Sequence, residues 1–215
     1  MRIGVCIPCY APHVPELRNC LASIEEQTRW PDVVSISVSG VSEIPDIQTK
    51  LHIRWTIDSD PHCAGSNRNR AAAAIQGEVD VLTFFDADDR MFPRRLEMIG
   101  QQMQHSSVEV LLHSYAFASK HGKIPTPPEI RGILFRRGWR TRKESLCSRV
   151  VIRASLFHPE MLIHNAHMAC RVHVWQTLQY PVGYGLGEDS EYNYRLFRAG
   201  FRFGYTPDVL SVYLK

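Results

Sequence analysis

Over the first hundred residues, short apolar runs of strand length alternate with longer stretches of helical period, and nothing else in the sequence restricts the fold as much. Residues 3–8 are apolar, few and closed by Pro8, the marks of a buried strand. From about Pro15, residues Leu17, Cys20, Leu21 and Ile24 recur at i, i+3, i+4 and i+7, one face of a helix that must end before Pro31. Residues 33–39 and 51–57 read as the second and third strands, and 64–76 as an alanine-rich helix stopped by Gly77. Residues 79–85 make a fourth strand, and 93–105 a helix with Leu96, Ile99 and Met103 turned inward. A chain that repeats strand and helix in this order folds as α/β, with a mixed, mainly parallel sheet flanked by helices. In such sheets a ligand sits outside the carboxyl ends of the strands.

Beyond residue 107 the pattern changes. Residues 108–119 read as a long strand, 122–128 as a proline-rich loop and 146–153 as another strand. Residues 172–179 and 188–199 read as helices, and 201–205 and 209–214 as closing strands. The expected organisation is one domain over residues 1–215, whose first half, about 1–107, reads as a nucleotide-type binding layer and whose second, about 108–215, reads as a more mixed addition. Its 44% hydrophobic and 22% charged content excludes disorder, collagen and coiled coil. No run of ~18 apolar residues is present, so no transmembrane segment is expected. The opening apolar stretch stops at Pro8, too soon for a secretory leader, and a cytoplasmic location follows as the expectation.

The net charge of +3 does not announce a nucleic-acid binder. Between Glu129 and Arg153, however, eight basic residues face only two acids. That segment reads either as a patch for an anion or as a solvated loop. Of six cysteines, Cys6 and Cys9 form a C-x-x-C with Pro8 inside it. A redox pair needs a thiol exposed at a helix start, whereas Cys6 lies inside an apolar strand, which favours buried, inert thiols.

Two acidic motifs carry candidate chemistry. Asp86-Ala87-Asp88-Asp89 follows the fourth strand, and in an extended chain Asp86 and Asp88 point the same way. Hard oxygen donors at this spacing suit Mg²⁺ or Mn²⁺ bridging to a substrate's phosphates, although Asp88 could instead cap the helix near Pro93. Placement separates this motif from a second D-x-D, Asp58-Ser59-Asp60: Asp86 follows an apolar strand directly and faces the ligand end of the sheet. Gly187-Glu188-Asp189 opens a helix, where a carboxylate serves the dipole or acts as a general base.

The order of motifs adds to each of them. Pro8-Cys9-Tyr10, then Ser66-Asn67-Arg68-Asn69-Arg70-Ala71, then Asp86-Ala87-Asp88-Asp89, then Gly187-Glu188-Asp189 and a tail at 200–207 span essentially the whole chain. In this order they resemble the family 2 glycosyltransferases, inverting enzymes of the GT-A fold that use nucleotide sugars. The resemblance implies a donor site lined by Pro8, Cys9, Tyr10, Ser39, Arg68, Asp86 and Ala87. It implies Mn²⁺ or Mg²⁺ on Asp86 and Asp88, and Asp189 as the base that takes the acceptor's proton. The implied donor is a nucleoside-diphosphate sugar, with uridine the family's commonest base, held by a nucleotide-sugar-binding half over about 1–107 beside an acceptor-binding half over about 108–215. The acceptor would be a glycan, lipid-linked or protein-linked hydroxyl, with no nucleic acid involved, and the chain could be a module of a longer protein.

One departure is plain. The family usually has an aspartate just after the second strand, where this chain has Ser37-Val38-Ser39-Gly40-Val41-Ser42. A hydroxyl, a main-chain group or Asp58 from the third strand could replace it. Two rival readings are a silent nucleotide-sugar-binding module and a sugar-nucleotide pyrophosphorylase. The second is disfavoured because residues 8–13 contain no glycine. No third metal ligand is selected among ten histidines, of which His164 and His167 fall in the acceptor half.

Overall fold

The fold is taken from a computed structural model, which describes residues 1–104, 106–119, 150–152, 167–183 and 188–214. Strands β1 (Ile3–Tyr10), β2 (Val33–Ser39), β3 (Ile53–Asp58) and β4 (Val81–Phe84) are mutually parallel, in the order β3-β2-β1-β4. A two-residue strand, β5 (Arg90–Met91), follows the Asp86–Asp89 turn. The sheet continues through β6 (Val110–Ala118), β7 (Val150–Ile152), β8 (Met168–Arg171) and β9 (Phe203–Leu214). β8 lies antiparallel between β4 and β6, β9 runs parallel to β6, and β5 and β7 both pair antiparallel with β9.

Helices cover both faces. A 3₁₀ turn (Ala11–His13) leads into α1 (Val14–Glu25), and α3 (Arg95–Gln104) lies on the same side. Their apolar residues Leu17, Leu21, Ile24, Leu96, Ile99 and Met103 pack on Ile3, Val5, Ile7 and Cys9. On the other face, α2 (Ala64–Ala73), α4 (Val172–Thr177) and α5 (Glu188–Arg198) cover Cys6, Leu82, Phe84, Val110 and Leu112. Each large side chain buried this way contributes roughly 1.5–3 kcal/mol. β1 is therefore apolar on both faces, as a central parallel strand must be.

The mainly parallel sheet is the expected one, with differences in the second half. The two closing strands are a single strand, β9, whose pairing with β6 shifts register around Ser114. β5 and β8 were not foreseen: two and four residues carry too few alternations to register as strands, and Met168–Arg171 runs directly into α4. Helices expected to residue 76 and from residue 93 are shorter, at Ala64–Ala73 and Arg95–Gln104. The basic segment lies outside the described residues except for 150–152, and His164 lies outside them as well.

β6 also carries a buried histidine. His113 is 1% exposed and its Nδ1 lies 2.8 Å from the Ser114 carbonyl. Burial holds its pKa well below the ordinary 6.5, and the Arg95 charge acts in the same direction. The aromatic neighbour on that side is His167, 5.6 Å away between ring centres. Below about pH 6.5 the unfolded chain takes up a proton that the folded one refuses. His113 thus contributes stability above that pH, and the contribution falls by up to ~1.4 kcal/mol per unit as pH drops below it. Urea unfolding of the wild type and His113→Gln at neutral and mildly acid pH should show the wild type losing more on acidification. Equal losses would exclude this role.

Candidate functional site

The site forms where β1, β4, α2 and α5 meet, at the carboxyl ends of the parallel strands. α2 is held there by its own polar side chains. Asn67 accepts from the Ser37 hydroxyl at 3.0 Å and donates to the Ser39 Oγ at 2.9 Å and the Cys9 carbonyl at 3.3 Å. The buried serines of β2 thereby find partners, and the end of β1 is tied to the end of β2. Two residues on, Asn69 donates to the Tyr180 carbonyl and accepts from the Tyr180 N–H and the Trp175 indole. A side chain at Gly65 would place its Cβ 2.4 Å from the Pro181 carbonyl, so only glycine lets this segment lie so close to α2. Tyr180 then stacks on Tyr192 of α5 at 3.8 Å, which fixes the helix whose first residues are Glu188 and Asp189.

Arg68 occupies the centre. Its guanidinium pairs with Asp86 at 2.8 Å, Glu188 at 2.9 Å and Asp189 at 3.2 Å, and it lies 5.5 Å from the Tyr180 ring centre. Burial works against its charge, but Asp189, Asp86 and Glu188 outweigh burial and hold it protonated, above the ordinary arginine range. Burial pushes the Asp86 carboxyl up, Arg68 pulls it down, and the nearby Asp189 and Asp88 push it up again, with a net rise. Three carboxylates gather around one guanidinium, so the cluster attracts further positive charge.

The Asp86–Asp89 segment is not extended. β4 ends at Phe84, and the Asp89 N–H bonds the Asp86 carbonyl to close a turn. This corrects the strand argument for Asp86 and Asp88: Asp86 goes to Arg68, whereas Asp88 lies 3.6 Å from His13. Nor does Asp88 cap a helix, since α3 begins only at Arg95. Asp89 turns inward, 1% exposed, and accepts from the Leu214 N–H at 3.0 Å. Burial, with Asp86 and Asp88 nearby, pushes its carboxyl up to about 9.

The remaining expected donor residues fall along one row. Strand register aligns Tyr10 with Ser39 and Ser39 with Asp58. Tyr10 is 47% exposed, whereas Ser39, Cys9 and Ala87 are buried. Pro8 precedes them within buried β1. Asp58 is held by His62 at 2.8 Å, Arg70 at 2.5 Å and the Asp60 N–H at 3.0 Å, which together keep its carboxyl well below the usual range. Gly40 turns the chain beside it at φ +77°, with the Tyr10 ring close by.

Cys6 and Cys9 join opposite cores, one on each face of the sheet, and burial raises both thiols, Cys9 to about 12. The C-x-x-C is therefore not a redox pair. Sequence reasoning did not assign Glu188, Asn67, Asn69 or His13. The first three stand inside or beside the motifs that it used, and the signal was their contiguity with Arg68 and Asp189.

A mainly parallel sheet with an antiparallel insertion, carrying an acidic turn after β4 and an acidic helix start opposite it, is the arrangement of the GT-A fold. Residues 4–159 match the family model described as Glycosyl transferase family 2, and the chain belongs to that family. Similar solved structures include Staphylococcus aureus TarS 1–349 in complex with UDP-GlcNAc, at TM-score 0.73 and 15% identity, covering 100% of this chain and 59% of that one. The UDP complex of the same TarS fragment gives TM-score 0.72 at 14% identity, covering 100% of this chain and 61% of that one. A structure titled S. aureus TarS gives 0.71 at 15% identity, covering 100% and 37%. The chain thus spans about 60% of the length of the TarS 1–349 fragment. No curated protein matches the sequence. No helix among the described residues is long and apolar enough to cross a membrane.

Proposed function

We propose that this chain is a metal-dependent, inverting glycosyltransferase that moves a sugar from a nucleoside-diphosphate donor, UDP-linked as in the ligands of the TarS complexes, to an acceptor hydroxyl. One observation carries the reading: Asp86, Asp88, Glu188 and Asp189 converge at the ligand end of the sheet in a chain of this family. Pro8, Cys9 and Tyr10 line the nucleoside end, where Asp58, beside Ser39, stands in for the aspartate missing after β2.

The donor set fits a divalent cation. Asp86 and Asp88 keep 23% and 21% of their side chains exposed, while Arg68 behind them keeps 3%. Among the described residues, no three His, Cys, Asp or Glu side chains are grouped to hold an ion by themselves. A Mg²⁺- or Mn²⁺-type site needs only one or two carboxylates when diphosphate and water complete it. Asp88, with Asp86, would hold the ion, which when bound would neutralise the charge of the diphosphate leaving group. Asp189 accepts the acceptor hydroxyl's proton as that oxygen attacks the anomeric carbon from the face opposite the diphosphate.

A thermal-shift panel of nucleoside-diphosphate sugars with Mn²⁺ or EDTA tests the reading, since a ligand at 100 times its Kd adds ~2.7 kcal/mol. The donor that stabilises should also be turned over, and the product should carry the inverted anomer. Stabilisation without turnover would mean a silent binding module, and stabilisation by none would sink the assignment.

A further inference from the structure

The resemblance to family 2 assigns Arg68 to the nucleotide, but the geometry points elsewhere: Arg68 is the positioning residue that holds the acceptor base, Asp189, in register with the donor-side Asp86. The inference rests on the glycosyl-transfer reading above. A single planar guanidinium spans two separate elements, the turn after β4 and the first turn of α5. It uses Nη2 for Asp86 and Nη1 for Glu188 and Asp189, so both ends of the fork are engaged. The exposures set the order of approach. Asp86 keeps 23% of its side chain open, Asp189 15% and Glu188 14%, against 3% for Arg68. A substrate arriving from solvent meets the carboxylates first, with the guanidinium behind them.

For Arg68 to reach a diphosphate it would have to abandon these pairs. Two or three partly buried carboxylates would then face one another without their counter-charge, a costly arrangement. Held in place, the guanidinium sets the spacing between the two acids and cancels their mutual repulsion. Lysine cannot substitute, because one ammonium offers no planar fork with which to bind two elements at once. The position of α2 supports the same role. Asn67 pins its first turns to β1 and β2, and Asn69 pins the Tyr180 segment, so Arg68 projects from a helix anchored on both sides of the site.

The test uses Arg68→Lys and Arg68→Ala in the full chain, with two readouts. UDP binding in EDTA reads direct nucleotide contacts, and turnover of the donor found in the panel reads the register of the acids. A misplaced catalytic group of about 1 Å costs ~10²-fold, so both variants should lose that much in kcat while UDP affinity in EDTA stays within ~2-fold. Added guanidinium should restore ~10-fold of the Arg68→Ala loss, because it refills the same fork, and should do nothing for Asp189→Asn. A ~10-fold or larger drop in UDP affinity in EDTA would return Arg68 to the nucleotide and overturn the proposal, as would wild-type kcat in Arg68→Lys. If Arg68→Ala does not fold, Arg68→Lys, which keeps the charge, decides by the same two readouts. A wild-type protein that turns over no donor sinks the glycosyl-transfer reading and this inference together, whereas an active wild type with an indifferent Arg68→Lys sinks this inference alone.

Discussion

Asp189→Asn should lower sugar transfer at least ~10²-fold while leaving metal-supported UDP binding within a few-fold of wild type. An acceptor hydroxyl is a very weak acid, so its proton must leave as the new bond forms, and a positioned carboxylate contributes ~10²–10⁴-fold to such a step. Asparagine keeps the shape and one oxygen of Asp189 but cannot take the proton. Glu188 also pairs with Arg68, and on a 3.6-residue period the two neighbours diverge by about 100°, so Glu188→Gln should cost less. Steady-state kinetics beside calorimetric UDP titration separates the two effects. Near wild-type transfer in Asp189→Asn, or a product that retains the donor's anomeric configuration, would exclude this base. A variant that fails to fold would instead mark Asp189 as a carboxylate serving the α5 dipole.

Asp88→Ala should remove the metal-dependent part of UDP binding, a loss of ~10²-fold, the scale on which metal sites respond when even an outer partner is lost. Within the turn, Asp86 pairs with Arg68 and Asp89 is buried, whereas Asp88 stays partly open, 3.6 Å from His13. Asp60→Ala serves as the control. It belongs to the other D-x-D, and what that loop uses is the Asp60 main-chain N–H, bonded to Asp58. Titration with UDP in Mn²⁺ and in EDTA reads the difference. Equal losses in the two variants, or binding indifferent to EDTA, would move the ion away from Asp88.

The first four strands and their helices were legible because each carries a complete local signal. Leu17, Cys20, Leu21 and Ile24 mark one face of α1 and all four are buried against β1. β8 and β5 carry no such signal. Four residues, Met168–Arg171, become a strand only because β4 and β6 stand on either side to bond them, a long-range cause that local periodicity does not contain. The site divides along the same line. Residue type and order pointed to Asp86, Asp88, Arg68 and Asp189, but the partners of Arg68 lie 18, 120 and 121 positions away in sequence, and no local pattern distinguishes a guanidinium that faces ligand from one that faces carboxylates. The turn at 86–89 was missed for a related reason. Beyond its own Asp89 N–H bond to the Asp86 carbonyl, the turn is held by Asp89 turning inward to the β9 main chain, a long-range contact.

That last contact carries a consequence for how the protein is made. β9 pairs with β6, β5 and β7, and its Leu214 N–H holds the Asp89 carboxylate across 125 residues of sequence. Loops this long close slowly, and strands that wait for distant partners expose unpaired edges meanwhile. As the chain leaves the ribosome, the β3-β2-β1-β4 layer can assemble early, but the Asp89 carboxylate of the acidic turn meets its main-chain partner only when residues 203–214 emerge. A chain halted before that point would hold the nucleoside end of the site, whereas its acidic turn would lack the bond to β9 and β6 would lack its parallel neighbour, an open edge for a chaperone.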